Sequence, residues 1–140
     1  MMTEIANMLT QASIGQSTCV STGGDPIVGT TALDLLPLYE ADPDTDALVI
    51  FAEPGGSVEE RIAALVQSGE CKLPIVAFVA GRFADTIQGV RFGHAGAIVE
   101  GTRGSPSAKI EALRAAGVVV AEKLWQLPEL VRAVIAEKGT

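Results

Sequence analysis

At 140 residues the chain is long enough for one domain, which would bury about two thirds of the surface that its unfolded form exposes. A hydrophobic content of 48% with only 4% aromatic residues, together with 15 glycines, is typical of an aliphatic α/β core with tight turns. The net charge of −7 argues against nucleic acid or an anionic membrane as partner, and no apolar run approaches the roughly 20 residues of a membrane span.

Short apolar runs and helical patterns alternate along the chain. Runs of β-branched and aliphatic residues without polar alternation are typical of parallel strands buried on both faces. The predicted elements, in chain order, are a helix at 2–12, a strand at 17–22, a helix at 30–39, a strand at 47–52, a helix between Ser57 and Gly69, strands at 75–80 and 95–100, a helix between Ser105 and Gly117, a weaker strand at 117–121 and a helix at 127–137. This alternation predicts a three-layer α/β fold, flavodoxin-like or Rossmann-like, with a parallel sheet between helices.

Some of the predicted helices carry recognisable boundary residues. Ser57 and Glu60 have the spacing of a capping box, and Gly69 suits the end of the helix that they begin. Pro37 falls inside the helix predicted at 30–39. We expect it to kink or shorten that helix, because proline has no N–H group to donate.

The loops that follow the strands contain the candidate functional residues, because ligands of parallel sheets bind at the carboxyl ends of the strands. These loops are GGDP at 23–26, EPGGS at 53–57 and a long segment at 81–94. Paired glycines let the backbone approach a ligand, and EPGGS leads directly into a helix, whose N-terminus favours anions. A loop of about fourteen residues without a regular pattern is typically functional. We therefore expect Glu53 and His94, the single histidine, to converge.

Motifs that would identify a cofactor are missing from the sequence. There is no GxxxxGK[ST] phosphate loop and no GxGxxG fingerprint, and one histidine with two distant cysteines does not suit a metal site. A single histidine is more often structural than catalytic, and Glu53 could simply cap the helix that follows it. The residues alone therefore indicate an α/β domain with a candidate anion site.

Three stretches of the sequence resemble one family of ligases. GQSTCVSTGGDPIVG (15–29), EPGGSVEE (53–60) and FGHAGAI (92–98) are similar to the second domain of the succinyl-CoA synthetase α subunit, the CoA-ligase domain. ATP-citrate lyase and malate-CoA ligase share this domain. Because the motifs follow in the same order and at matching spacing, the resemblance implies that residues 1–140 are a single CoA-ligase domain of flavodoxin-like fold.

The resemblance also implies roles for individual residues. In that family the histidine of the GHAGA motif is phosphorylated during turnover, and the glutamate of a GEIGG-like motif supports it. His94 would then relay phosphate between an acyl phosphate and a nucleotide, with Glu53 beside it. The small residues expected to support the phosphate and the loop are Gly55, Gly56, Gly93, Ala95 and Gly96. The complete enzyme would use CoA, ATP or GTP, and Mg²⁺, none of which we expect this chain to bind alone.

Two parts of the complete family enzyme have no counterpart in this chain. They are the N-terminal CoA-binding Rossmann domain of the α subunit and the ATP-grasp β subunit, so we expect the chain to be inactive alone. The family also has a strand just before the segment that matches the first residues here. We therefore expect the sheet to lack its first strand next to 17–22, and the chain to self-associate through that open edge. The protein is expected in the cytoplasm, or in the mitochondrial matrix of a eukaryote.

Two classes of function remain open. The first is the phosphohistidine domain of a nucleotide-dependent acyl-CoA synthetase, foremost succinate-CoA ligase, or the equivalent domain of a malate-CoA ligase or ATP-citrate lyase. The second is a non-catalytic binding or assembly module of the same fold. The presence of both Glu53 and His94 favours the first, because a module without chemistry would not need that pair.

Overall fold

A three-stranded parallel sheet forms the centre of the computed structural model, which describes residues 1–25, 27–86 and 104–138. The strands are β1 (Leu48–Ala52), β2 (Ile75–Val79) and β3 (Val119–Val120), and they lie side by side in that order. Leu48 is opposite Ile75, and Val76 is opposite Val119. The parallel sheet that the sequence predicts is confirmed for these three strands, whereas the strand predicted at 95–100 lies outside the described residues.

Five α-helices accompany the sheet in the described ranges. They are α1 (Met2–Gln11), α2 (Ala32–Ala41), α3 (Val58–Ser68), α4 (Pro106–Ala115) and α5 (Leu127–Lys138), with short 3-10 turns at Arg82–Thr86 and Leu124–Gln126. All five correspond to predicted helices. None of them combines the length and the hydrophobicity that a bilayer-spanning segment needs.

The helices cover both faces of the sheet. Neighbouring side chains of β2 point to opposite faces, so each face has its own core. Ile75, Ala77 and Val79 belong to a core with α2, α3 and α4, and Val76 belongs to a second core with α1 and α5. Each fully buried aliphatic side chain contributes about 1.5–3 kcal/mol relative to exposure. The predicted three-layer architecture, with helices on both faces, is therefore confirmed.

The ends of the helices agree with the sequence in part. Gly69 ends α3 in the left-handed conformation, as expected. The predicted capping box at Ser57 and Glu60 is wrong, because the backbone of Ser57 does not have the extended geometry of a cap and its hydroxyl accepts no cap hydrogen bond. A capping box occurs instead at α2, between Thr31 and Asp34. Pro37 lies inside α2 and does not shorten it, since the helix continues to Ala41.

The strand predicted at 17–22 is wrong. Leu48 donates its N–H to Pro74 and Ala52 accepts from Ala80, so the intervening peptide groups of Val49 and Phe51 face away from β2. A groove of about 770 Å³ lies on that open side of β1, and residues 17–22 line it together with residues 48–51. A strand forms only where a neighbour exchanges backbone hydrogen bonds with it, and among the described residues none does so with 17–22.

A buried thiol lies between α3 and β2. The N–H of Cys71 donates to the carbonyl of Leu65 at 3.0 Å, and the side chain is 3% exposed. Burial, with a smaller effect of the Glu40 carboxylate, raises the pKa of Cys71 to about 11. The second cysteine, Cys19, is exposed in the groove wall.

Candidate active site at the carboxyl edge of the sheet

The structure describes one part of the predicted site. Glu53, Gly55 and Gly56 lie directly after β1, at the carboxyl edge of the sheet, and all three line the groove. Glu53 is exposed there. The other predicted residues, Gly93, His94, Ala95 and Gly96, lie outside the described residues, as does the expected approach of His94 to Glu53 and most of the predicted loop at 81–94.

The EPGGS turn at 53–57 has a conformation that depends on its glycines. Gly55 and Gly56 have φ angles of +94° and +63°, which side-chain-bearing residues rarely adopt. Pro54 is buried against Gly81, where a Cβ atom would lie only 2.5 Å from the proline ring. The turn after β1 and Gly81, the second residue after β2, therefore touch without room for a further methyl group.

A second contact joins the turn to the start of α4. The N–H of Gly55 donates to the carbonyl of Gly104 at 2.8 Å. A Cβ atom on Gly104 would lie 3.1 Å from the Cα of Gly55 and 3.1 Å from the carbonyl oxygen of Gly56. Gly104 is the first described residue after 87–103, the stretch that contains His94. Gly104, at the end of that stretch, is therefore in direct contact with the turn that carries Glu53.

The 3-10 turn at Arg82–Thr86, which precedes the same stretch, also reaches α4. Asp85 accepts hydrogen bonds from the backbone N–H and the hydroxyl of Ser107, at 3.2 and 3.1 Å. The hydroxyl of Ser105 caps α4 by accepting from the N–H of Ala108 at 3.2 Å. The described residues on both sides of 87–103 therefore meet at the first turn of α4.

A buried lysine of α4 is hydrogen-bonded to the backbone of the turn. Lys109 is fully buried, and its ammonium donates to the carbonyl oxygen of Gly56 at 3.2 Å. It also forms ion pairs with Glu59 and, at 3.3 Å, with Glu60, both in the first turn of α3. This explains why Glu60 does not complete the predicted capping box: its carboxylate turns toward Lys109.

Sequence reasoning missed Lys109, although the sequence contains a signal for it. Pro106, Lys109 and Leu113 recur at the spacing of one helix face, and they are the buried residues of α4. A charged residue on an otherwise apolar face is rarely buried without a partner. The acidic pair at the start of the preceding helix could have been recognised as that partner.

The groove itself has a distinct electrostatic character. Its lining contains carboxylates and no lysine, arginine or histidine among the described residues; the acidic members are Asp25, Asp44, Asp46, Glu53 and Glu59. Apolar residues of α1, β1 and α5 form its floor. In the part of the chain that the structure describes, no group of three His, Cys, Asp or Glu side chains could hold a metal ion.

Comparisons with known proteins agree with the three sequence motifs. A family model described as CoA-ligase matches residues 1–119. The α subunit of an ADP-forming succinate-CoA ligase from Methanothermobacter thermautotrophicus is 46% identical over 130 residues, which are 93% of this chain and 43% of the relative. A subunit of an ADP-forming sulfoacetate-CoA ligase from Bilophila wadsworthia is 43% identical over 132 residues, 94% of this chain and 44% of the relative.

A solved structure shows the same fold. An ATP citrate lyase from Methanosaeta concilii, a mutant in complex with (3S)-citryl-CoA, has a TM-score of 0.89 and 31% identity to this chain. The match covers 97% of this chain and 22% of the lyase chain. The chain spans less than half the length of the curated relatives that it matches. These matches confirm the resemblance carried by the motifs.

Proposed function

Because the chain belongs to the CoA-ligase family, we propose that residues 1–140 form the phosphate-carrying domain of an ADP-forming acyl-CoA synthetase, with His94 as the residue that is phosphorylated. One observation carries this proposal beyond family membership. The turn that bears Glu53 is hydrogen-bonded, through Gly55, to Gly104, where the stretch containing His94 rejoins the described chain. This contact supports our proposal that His94 comes close to Glu53 at the carboxyl edge of the sheet.

The imidazole of His94 has the chemistry that phosphate transfer needs. Near pH 7 a histidine is largely neutral, so one ring nitrogen has a lone pair that can attack phosphorus. Attack on the γ-phosphate of ATP forms an N–P bond and breaks the P–O bond to ADP. A carboxylate oxygen of the acid then attacks the same phosphorus, which gives an acyl phosphate and restores the imidazole. The thiolate of CoA finally displaces inorganic phosphate and forms the thioester.

Glu53 would act on the opposite side of the imidazole ring. A carboxylate that accepts the proton of the second ring nitrogen selects the reactive tautomer and stabilises the cation formed on phosphorylation. The small residues Gly93, Ala95 and Gly96 would let the loop bring His94 close to its partners. Gly55 and Gly56 would keep the backbone of the turn clear of the phosphate.

The acid substrate is the next part of the proposal. Relatives of similar identity are named for succinate and for sulfoacetate, and both acids carry a second anionic group. We propose succinate as the substrate, with sulfoacetate, malate or citrate as the alternatives within the family. ATP is the nucleotide of choice because these relatives are named ADP-forming.

Other polypeptide parts would complete the enzyme. A CoA-binding Rossmann domain and an ATP-grasp β subunit would supply the sites for CoA and ATP. We assign Mg²⁺ to the nucleotide partner, because it would neutralise the phosphate charge of ATP there. The chain alone would not form acyl-CoA, and its expected location is the cytoplasm, or the mitochondrial matrix in a eukaryote.

The open edge of β1 would mediate self-association of the isolated chain. The peptide groups of Val49 and Phe51 face the groove, and Val20, which lines the same groove, is 44% exposed. Light scattering across micromolar concentrations should reveal oligomers. A Val20→Lys variant should contain fewer of them, because it places a charge in the groove. A monodisperse monomer of the unchanged chain would contradict this part of the proposal.

Phosphate labelling tests the central claim. The chain would replace the matched part of the Methanothermobacter α subunit, be combined with that ligase's β subunit, and receive labelled ATP with Mg²⁺. We expect an acid-labile, base-stable label that disappears in His94→Ala and falls by more than about tenfold in Glu53→Gln. Label that persists in His94→Ala would refute the role of His94. If the unmodified relative is labelled in parallel and the hybrid is not, the alternative of a non-catalytic module is correct.

A further inference from the structure

We infer that Lys109 is a positioning residue, which holds the EPGGS turn at 53–57, and with it the backbone of Glu53, in one conformation. The inference rests on the proposed function and adds a residue that the motifs did not identify. Lys109 itself is fully buried and is not a candidate to touch substrate. Its effect would be transmitted through the backbone of the turn, to which its ammonium is hydrogen-bonded.

The burial of Lys109 is costly, which argues that it serves more than packing. An ammonium transferred out of water loses several kcal/mol of hydration, and well-packed apolar residues often replace buried ion pairs without loss of stability. Lys109 occupies an apolar face between Pro106 and Leu113, where a leucine or methionine would fit the helix pattern. The structure instead places a cation there with three acceptors.

The three acceptors all belong to the segment that follows Glu53. The hydrogen bond from Lys109 to the carbonyl oxygen of Gly56 fixes the orientation of the peptide group between Gly56 and Ser57. The carboxylates of Glu59 and Glu60 fix the first turn of α3. Glycine has the widest choice of backbone conformations, so a turn with two left-handed glycines requires an external support to keep one of them.

The same contacts change the electrostatics of the edge. Glu59 and Glu60 lie in the first turn of α3, where two unpaired negative charges would repel an incoming phosphate. Lys109 attracts both carboxylates and offsets one of the two charges. A fixed turn and a less negative helix end are both favourable for a phosphate beside Glu53.

Amide exchange on the whole chain tests the structural half of the inference. In Lys109→Met we expect faster hydrogen exchange in a peptide that covers 53–60, with the exchange of β2 unchanged. Lys72→Met, which alters an exposed lysine, should leave both regions unchanged. If Lys109→Met does not fold, the triple variant Lys109→Met, Glu59→Gln, Glu60→Gln removes the unpaired charges and should still exchange faster at 53–60. Unchanged exchange there, in whichever variant folds, would overturn the inference.

A double-mutant comparison in the assembled hybrid ligase tests the functional half. Lys109→Met should lower the rate of His94 labelling by about tenfold in the presence of Glu53 but by less than about twofold in the Glu53→Gln background. An equal loss in both backgrounds would mean that Lys109 acts on stability alone, and the inference would be wrong. Absence of label in the unmodified hybrid would refute the proposed function instead, so the two failures are distinguishable. Lys72→Met again serves as the matched control.

Discussion

The EPGGS turn at 53–57 and the segment at 14–25 line the same groove, yet they are held in different ways. The turn is fixed by the bond from Gly55 to Gly104, by the buried ammonium of Lys109 and by the packing of Pro54 on Gly81. The segment at 14–25 is mostly exposed and is joined to the residues before β1 by a hydrogen bond between Ser17 and Thr45.

The difference shows what fixes the conformation of a glycine-rich loop. Both regions contain paired glycines, at 23–24 and at 55–56, and both were predicted from sequence to face a ligand. The conformation of a glycine pair is set by its surroundings, because glycine itself selects none. At 55–56 that selection comes from Gly104 and from the buried Lys109 of α4, whereas a Cβ atom added at Gly23 would meet nothing within 4 Å. The comparison can be tested by removing those partners one at a time.

The largest effect is expected at Lys109. Lys109→Met leaves two carboxylates near a buried site without their cation, which typically costs about 3–5 kcal/mol of unfolding free energy. Urea unfolding of this chain and of Lys72→Met, whose altered side chain is exposed, provides the measurement and its control. Equal stability of the two variants would mean that the turn is held by its other contacts.

A smaller effect is expected at Gly81, where the turn packs just after β2. Gly81→Ala forces a positive φ on alanine and displaces the ring of Pro54, at a cost of about 2–3 kcal/mol. Gly15→Ala is the matched change in the segment at 14–25, where an added Cβ meets nothing within 4 Å. It should alter thermal stability very little. A similar fall in both variants would remove the contrast between the two regions.

A stability effect of intermediate size, which depends on pH, is expected at Glu40 near the C-terminal end of α2. Glu40 accepts the N–H groups of Lys72 and Leu73, each at 2.6 Å. Burial raises the pKa of Glu40, but these hydrogen bonds outweigh that effect and hold it below the usual 4.5. A lowered folded-state pKa gives stability that is present above pH 4.5 and is lost as pH falls through the folded value.

Glu40→Gln should therefore destabilise the chain by about 1 kcal/mol at pH 7, with the difference from the unmodified chain vanishing near the acid limit. Urea unfolding at a series of pH values measures this. A difference that grows as the pH falls would have the wrong sign for the stated cause.

The smallest effect is expected at the segment at 14–25. Ser17→Ala removes the hydrogen bond to Thr45, but the hydroxyl of Thr45 still donates to Asp42 at 2.5 Å. We expect less than about 0.5 kcal/mol of global destabilisation and faster amide exchange near residue 17. A large global loss would show that this wall of the groove is part of the cooperative core.

The sequence predicted the three described strands and the five described helices, because buried parallel strands and helices leave local patterns. The runs at 47–52 and 75–80 became β1 and β2 almost residue for residue. The run at 17–22 contains β-branched residues but is rich in hydroxyl side chains, and a strand also depends on a neighbour that lies far away in sequence. The reciprocal half of the predicted capping box is also missing for a non-local reason, because the carboxylate of Glu60 pairs with Lys109, about fifty residues away.

The candidate site was predictable to the extent that it lies in motifs. Glu53 and its glycines stand at a strand end, where a parallel sheet brings ligand-binding loops together. The support beneath them was not predictable from the motifs, because Lys109 belongs to a helix that carries none. The hydrogen bonds from Ser107 to Asp85 were not predictable either, because neither residue belongs to a motif.

The buried thiol of Cys71 makes transient local opening of the molecule measurable. A thiol reacts with alkylating reagents as the thiolate, so the buried side chain, with its pKa raised to about 11, is doubly protected at neutral pH. Each transient local opening that exposes Cys71 would restore the ordinary reactivity of the thiol for as long as it lasts. Exposed Cys19 would be modified at once, and the slower second modification would count those openings over time.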